Sequence, residues 1–156
     1  MARPAAHSAH EINEVSYPGY TVGEEIGRRG PEEISMIDHV VLGVHHLDES
    51  RYFYEHALAP IGVKVVVEEP NLVGFGSAGG RPFFWLALRE PSHRVHVAFT
   101  AASRAAVDAF HEAAMHAGGV DNGPPGPRPE YHENYYAAFS FDADGNNIEA
   151  VCHDPA

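Results

Sequence analysis

The sequence predicts an α+β fold in which two βαβββ modules pair their sheets into one curved mixed sheet. Three observations predict this fold. Segments with strand-like and helix-like patterns recur twice in the same order, each copy opens with a strand that carries one histidine, and each copy closes with a glycine-containing turn and a last strand. Because one module of this size cannot bury both faces of its sheet, the two copies are expected to curve around a shared cleft.

The first module is predicted to cover residues 36–90. The apolar run at residues 36–44 indicates a buried strand. Asp48 or Ser50 can cap a helix, which must end near Pro60 because proline does not continue a helix. Short β-rich segments separated by turns complete the module, at residues 64–68, 72–77 and 82–88.

The second module is predicted to cover residues 93–152 and repeats this order. Residues 93–100 indicate a strand, and Ser103 can cap a helix with an apolar stripe. Residues 122–129 are rich in proline and glycine and are predicted to form a loop, with a short and poorly marked strand near Val120. The last two strands are predicted at residues 135–141 and 147–152.

Residues 1–35 differ from the rest of the chain, because they are polar and lack a sustained hydrophobic period. They are predicted to be an extension of the domain at residues 36–156, either disordered or draped over a subunit surface. A half-open curved sheet leaves edges that need cover, so a homodimer is predicted, with residues 1–35 as its candidate arm. The modules can pair within one chain or exchange between two chains, and pairing within one chain is the expected arrangement.

The net charge and the cysteine content of the chain limit the partners and the cellular compartment that we expect for it. Ten basic and 22 acidic residues give a net charge of −12, and phosphate backbones and anionic membranes repel such a surface. A small-molecule substrate is therefore expected, and nucleic acid and membrane partners are not. The single cysteine, Cys152, excludes an internal disulfide. With no signal sequence and no apolar run of ~20 residues, this predicts a cytoplasmic protein.

Three ligand-type side chains interrupt apolar strands at equivalent places in the two modules. Side chains alternate between the faces of a strand, so His39, His96 and Glu149 point away from their apolar neighbours. Taken alone, each would be interpreted as an ordinary hydrogen-bonded residue, because charged groups are seldom buried without a partner. Together they predict a site of two imidazoles and one carboxylate with open positions, which accepts a divalent ion of Fe, Mn, Co, Ni or Zn.

Three motifs of the chain are similar to those of a known superfamily. The opening strand at residues 38–44, the central strand at residues 95–99 and the closing segment at residues 142–151 resemble the glyoxalase I, bleomycin-resistance and extradiol-dioxygenase (vicinal oxygen chelate) superfamily. The resemblance covers residues 36–152, and the closing segment is its most specific part. It implies a glyoxalase-like fold of paired modules, a metal in the cleft, and substrates that chelate this metal through neighbouring oxygens.

The sequence departs from the enzymes of this superfamily at informative positions. Where glyoxalase I and its epimerase relatives carry a fourth ligand, this chain has Phe84 followed by Trp85, and neither side chain binds metal. Extradiol dioxygenases use three ligands, and their closing signature places a histidine and a tyrosine before the glutamate ligand. His132 stands at the histidine position, but Phe139 stands at the tyrosine position. One donor expected for dioxygen chemistry is therefore missing.

The residues around the predicted metal site receive candidate roles. His132 and Tyr136 are predicted to be the general acid and base. Aromatic residues of the first module and a loop of the second are predicted to line the substrate pocket, with a place in the core or in a solvated loop as the alternative. These predicted pocket residues are Phe84, Trp85, Arg128, Tyr131 and Tyr135.

The predicted function is that of a divalent-metal-dependent lyase or isomerase acting on a small oxygen-chelating molecule. An extradiol-type Fe(II) dioxygenase is the first alternative, and it ranks lower because of Phe139. A metal-free drug-binding protein of the bleomycin-resistance type is the second alternative. The three ligand-type residues argue against it, because a carboxylate is costly to bury in a dry apolar pocket.

Overall fold

The computed structural model describes residues 37–155, which belong to one compact unit. The predicted extension, residues 1–35, lies outside the described residues. Within the described range, no helix is long and apolar enough to cross a membrane.

The two predicted modules are present, and each forms a four-stranded sheet. The first module consists of β1 (Val40–Val44), α1 (Leu47–Leu58), a 3-10 turn (Ala59–Ile61), β2 (Val63–Glu69), β3 (Leu72–Ser77) and β4 (Phe84–Leu88). The second consists of β5 (His96–Thr100), α2 (Arg104–His116), β6 (Val120–Pro127), β7 (Tyr136–Phe141) and β8 (Asn147–Cys152). Sheet A has the order β1-β4-β3-β2, and sheet B has the order β5-β8-β7-β6.

Both sheets have the same mixed topology. The first strand of each module runs parallel to its last strand, as β1 does to β4 and β5 to β8. The remaining neighbours are antiparallel. This arrangement confirms the predicted α+β fold of two βαβββ modules.

One face of each sheet, called here the helix face, packs against the two helices in a shared core. Phe84 of β4 and Phe99 of β5 meet edge to face in this core, with ring centroids 5.3 Å apart. Phe84 is only 1% exposed, so of its two predicted roles the structure supports the core and not the pocket. The opposite face of each sheet, called here the far face, carries the alternate residues of the same strands.

A buried hydrogen bond also joins the modules. The hydroxyl of Tyr54 on α1 donates to Oδ2 of Asp142, in the turn before β8, at 2.6 Å. The same carboxylate accepts the backbone N–H groups of Asp144 and Asn146 at 3.0 and 2.8 Å, and the side-chain amide of Asn146 at 3.0 Å. Because a buried carboxylate needs such partners, these bonds fix the turn against α1.

One of the two predicted helix caps is confirmed. Ser103 precedes α2, and its hydroxyl accepts the backbone N–H of Ala106 at 3.2 Å. The predicted caps of α1 were wrong, because α1 follows His46, whose side chain makes no capping hydrogen bond. Asp48 instead lies in the first turn, where a negative charge favours the helix dipole.

The loop predicted at residues 122–129 was wrong over most of its length, because β6 covers Val120–Pro127. β6 is the last strand of sheet B and pairs only with β7. Proline lacks an N–H but is tolerated on such an edge, where only one side of the strand needs hydrogen bonds. The pairing of β6 with β7 shifts register between Asp121 and Gly123 and again between Gly123 and Gly126. These irregularities leave the residues between them out of the regular ladder.

Sheets A and B are not hydrogen-bonded to each other within residues 37–155. β1 is one end strand of sheet A, and β5 is one end strand of sheet B. Each of these two strands therefore has one edge without a partner strand in the described part of the chain, although the N–H and the carbonyl of Gly43 in β1 are hydrogen-bonded to Ser92 at 3.0 and 2.9 Å. Unpaired edges of this kind are available for pairing with another chain.

Candidate metal site

The far face of sheet B carries the predicted ligand Glu149 in the centre of β8. Glu149 lies opposite Ala98 of β5 and Phe139 of β7. Only 1% of Glu149 is exposed. A carboxylate at such a place must be matched by hydrogen bonds, a cation or a metal.

Glu149 is held by two side chains, one at each carboxylate oxygen. Nε2 of His96 lies 2.8 Å from Oε2, and the hydroxyl of Tyr135 donates to Oε1 at 2.6 Å. The His96 side chain is 52% exposed, whereas that of Glu149 is 2% exposed. The structure therefore brings two of the three predicted ligands together at a place where the imidazole is open to solvent and the carboxylate is not.

Tyr135 is a hydrogen-bond donor at this site over the whole neutral range. Burial and the hydrogen bond to Glu149 raise the pKa of Tyr135 to about 12. Its hydroxyl therefore stays protonated near pH 7, and it keeps Oε1 of Glu149 engaged. Tyr135 packs against a small apolar cluster on the far face, made of Ala137, Phe139 and Val151.

Tyr136, the second predicted acid/base residue, lies on the helix face and not beside Glu149. Its hydroxyl donates to Oδ1 of Asp108 on α2 at 2.8 Å, and this hydrogen bond raises the pKa of Tyr136. Consecutive side chains of a strand point to opposite faces, so Tyr136 turns away from Glu149. The neighbouring Tyr135, predicted only as a pocket residue, makes the contact instead.

His39 is not joined to the other two predicted ligands. It precedes β1, its side chain is 39% exposed, and its Nδ1 lies 2.7 Å from Oδ1 of Asp38. That hydrogen bond lowers the pKa of Asp38. Among residues 37–155, no three His, Cys, Asp or Glu side chains form a group that could hold a metal ion.

The predicted acid/base residue His132 lies beside the site and is paired with another histidine. Its Nε2 is 2.9 Å from Nδ1 of His153, and the two rings stack with centroids 4.9 Å apart. Both rings contact Tyr135 edge to face, at 5.1 and 5.2 Å. Sequence reasoning missed His153, although it directly follows β8 and continues the alternation of Glu149 and Val151.

The remaining predicted pocket residues fall into two groups. The guanidinium of Arg128 lies over the Phe139 ring at 5.5 Å, and the ring of Tyr131 contacts Tyr135 edge to face at 4.9 Å, so both adjoin the site. Trp85 belongs to sheet A, on the face opposite Phe84, and packs closely on Gly74.

The two repeated modules define a class of protein that a comparison with known families identifies. Residues 36–150 match the model of the Glyoxalase/Bleomycin resistance protein/Dioxygenase superfamily. The chain belongs to this superfamily. The match covers the first module and the second module up to the fourth of the six residues of β8.

Solved structures show the same relationship. A glyoxalase/bleomycin resistance protein from Albidiferax ferrireducens is 30% identical, with 77% of this chain and 100% of that chain covered and a TM-score of 0.66. A lactoylglutathione lyase from Agrobacterium tumefaciens is 21% identical over 78% of this chain and 96% of that one, with a TM-score of 0.57, and shares the fold. A glyoxalase I mutant from Zea mays is 25% identical over 74% of this chain and 46% of that one, with a TM-score of 0.58. No curated protein matches the chain by sequence.

Proposed function

We propose that this protein is a divalent-metal-dependent lyase or isomerase, which acts on a small molecule with neighbouring oxygen atoms. One observation carries the proposal. A nearly fully buried carboxylate, Glu149, lies 2.8 Å from a solvent-accessible imidazole, His96, on an open sheet face. This is the donor chemistry of a 2-His-1-carboxylate site that lacks its second histidine.

The residues fit a divalent metal ion in donor type and in surroundings. His96 and Glu149 supply one nitrogen and one oxygen donor, and Tyr135 holds the other carboxylate oxygen. Hydrogen bonds of this kind orient metal ligands. When bound, a divalent ion polarises the oxygens of a substrate and lowers the pKa of a coordinated oxygen.

His39 of a second copy of the chain is the proposed third ligand. In the described residues, β1 and β5 each have one edge without a partner strand, although Ser92 hydrogen-bonds to Gly43 of β1, and His39 lies immediately before β1 on the edge of sheet A. Pairing of β1 from one copy with β5 from another would bring His39 to His96 in a register that aligns these two residues. The proposal therefore favours exchange between two chains over the pairing within one chain that the sequence led us to expect.

The neighbouring side chains supply the other parts of the proposed reaction. His132, hydrogen-bonded to His153, moves a proton as general acid or base. Phe139, which the His96 ring contacts at 6.2 Å, carries no hydroxyl for dioxygen chemistry. An extradiol-type Fe(II) dioxygenase is the second candidate, because three protein ligands leave room for both a bidentate substrate and one more molecule.

Metal content tests the proposal directly. Wild-type protein purified without chelators should contain about one divalent ion per chain by elemental analysis, as for a single three-ligand site. The variants His96→Ala and Glu149→Gln should lose it. A control, His56→Ala, removes an imidazole that bonds only to its own helix through the carbonyl of Tyr52 and should retain the ion. Wild-type protein that stays metal-free after loading would contradict the proposal.

Mixing two inactive variants tests whether the site is shared between chains. His39→Ala lacks the proposed third ligand, and Glu149→Gln lacks the carboxylate. In a random mixture of dimers, about a quarter of the sites would combine the intact His39 of one chain with the intact Glu149 of the other. Metal binding recovered on mixing supports a shared site. No recovery, in dimers shown to exchange subunits, would contradict a site shared between two chains.

A further inference from the structure

The Arg128 side chain is held in a fixed position beside the candidate metal site. Its Nη2 donates to the carbonyl of Pro124 at 2.7 Å, and its Nη1 donates to the carbonyl of Pro127 at 3.2 Å. The guanidinium lies over the ring of Phe139 at 5.5 Å. Two hydrogen bonds and a cation–π contact thus restrain a side chain that would otherwise be flexible.

Two glycines of β6 leave the space that this guanidinium occupies. A Cβ atom at Gly126 would lie 3.0 Å from Nη1 of Arg128, and one at Gly123 would lie 3.5 Å from Nη2 and 2.9 Å from the Phe139 ring. A side chain at either position would therefore press on Arg128 or on the ring below it. The glycines of β6 therefore leave room for the guanidinium to lie over the Phe139 ring.

The charge of Arg128 is not neutralised by a carboxylate within residues 37–155. The ion pairs of other arginines, such as Arg51 with Glu68 and Arg81 with Asp38, are present in the same structure. Arg128 has only backbone carbonyls as hydrogen-bond partners. Since a guanidinium has five N–H donors and two are used, three remain for another group.

The same aromatic ring connects Arg128 to the metal-ligand pair. His96 contacts the Phe139 ring with centroids 6.2 Å apart, and Arg128 lies 5.5 Å from the same centroid. The imidazole and the guanidinium are therefore separated by less than the sum of these two distances. A ligand at His96 that extends across the Phe139 ring would meet Arg128.

We infer that Arg128 binds a carboxylate group of the substrate, so that the substrate class is a small oxygen-chelating acid. This inference rests on the proposed function and adds the chemistry of the group remote from the metal. A guanidinium forms charge-assisted hydrogen bonds to a carboxylate with planar geometry. The position of Arg128 fixes the distance between the chelating oxygens and the acid group.

A singly charged carboxylate fits this site better than a phosphate. The chain carries a net charge of −12, and the buried carboxylate of Glu149 lies opposite Phe139. A phosphate group brings close to two negative charges at neutral pH, and one guanidinium would leave part of this charge uncompensated in an acidic protein. The single positive charge of the Arg128 guanidinium matches the single negative charge of a carboxylate.

Two catechols that differ in one group test the inference. Both 4-methylcatechol and 3,4-dihydroxyphenylacetate offer the same vicinal oxygens, and only the second carries a carboxylate. Dissociation constants are measured by calorimetry at neutral pH with Zn-loaded protein, in which the metal is redox-inert. Wild-type protein should bind the acid roughly 10- to 100-fold more tightly than the neutral probe, as expected for a charge-assisted contact.

Two variants assign this preference to Arg128. Arg128→Gln should lose the preference for the acid and bind 4-methylcatechol as wild type does. Gly126→Ala keeps the charge but shifts Nη1 of Arg128 by a few tenths of an ångström, and it should reduce the preference by less than Arg128→Gln does. The control Arg89→Gln makes the same charge change at an exposed residue after β4 and should keep the preference.

The outcomes separate this inference from the proposed function. If wild-type protein binds both probes with equal affinity, metal chelation stands and the role of Arg128 is overturned. If Arg89→Gln and Arg128→Gln lose the preference equally, long-range charge is responsible and Arg128 is not the contact. If neither probe binds Zn-loaded wild-type protein, the proposed function fails and this inference fails with it.

Discussion

The hydroxyl of Tyr135 and the carboxylate of Glu149 are joined by a 2.6 Å hydrogen bond on the far face of sheet B. The tyrosine packs against the apolar cluster beside it, which includes Ala137 and Val151. Its hydroxyl occupies one carboxylate oxygen and leaves the other next to His96. The orientation of the proposed metal ligand thus depends on a residue that does not itself bind the metal.

Tyr135→Phe is expected to weaken metal binding by roughly 10- to 100-fold, as is typical when a group that orients a metal ligand is lost. The phenyl ring keeps its packing, but Oε1 of Glu149 loses its donor and the carboxylate can rotate. Zn affinity is measured by competition with a chromophoric chelator. The control is Tyr131→Phe, at a 61% exposed tyrosine that contacts Tyr135 only through its ring. Equal affinities for wild type and Tyr135→Phe would show that the hydrogen bond does not orient Glu149.

His132→Ala is expected to lower the turnover of metal-loaded protein by ~10²–10⁴-fold, the usual effect of a positioned acid or base. Metal content should not change, because His132 bonds to His153 and not to a proposed ligand. A screen of catechol and hydroxyacyl substrates provides the assay. Full activity of His132→Ala would exclude the acid/base role.

His153→Ala tests whether the two histidines act as a unit. Removing His153 leaves His132 without its 2.9 Å partner, so turnover should fall, by less than in His132→Ala. The double variant should be no worse than His132→Ala alone, because residues in direct contact have non-additive effects. Additive losses would show that the two imidazoles act independently.

The sequence predicted the strand boundaries best where turn residues stand directly beside an apolar run. β3 and β8 have the predicted bounds, 72–77 and 147–152, since turn residues flank a short apolar run in each case. The short strand predicted near Val120 is the start of β6, but its extent was missed because its prolines and glycines are typical of loops. Only its place at the edge of sheet B makes a strand possible there.

The candidate site could be predicted in part. The two-residue period along each strand placed His96 and Glu149 correctly as away from the apolar core, because this period is local. The choice between Tyr135 and Tyr136 depends on the register of β7 against β8, which pairs Phe139 with Glu149. Register is a property of the sheet and not of one strand. For the same reason, the alternation around His39 predicts the face of the sheet on which its side chain lies. It does not predict whether His39 contributes to the site of its own chain or to that of a second copy.

Tyr54→Phe is expected to destabilise the fold by about 1.5–3 kcal/mol, the range for a hydrogen bond to a charged group. The Tyr54 ring is fully buried, and its hydroxyl donates to Asp142 of the other module. Urea unfolding with a constant slope reports the change. Tyr52→Phe, at a neighbouring tyrosine that is 53% exposed, should have little effect. A loss as small as that of Tyr52→Phe would mean that this bond adds little to the contact between the modules.

Alkaline pH should destabilise the protein because Tyr54 and Tyr135 must then lose their protons. Burial and the nearby carboxylates raise the pKa of Tyr54 well above its usual value, and the pKa of Tyr135 is about 12. Unfolded tyrosines lose their protons near pH ~10, so above this pH the unfolded state binds fewer protons than the folded state. The stability that these groups contribute is therefore complete below pH ~10 and is lost as pH rises toward their pKa values in the folded state.

Urea midpoints measured between pH ~9 and ~12 should fall steeply for wild type and less steeply for the Tyr54→Phe, Tyr135→Phe double variant. Parallel curves for the two proteins would show that other groups cause the alkaline transition.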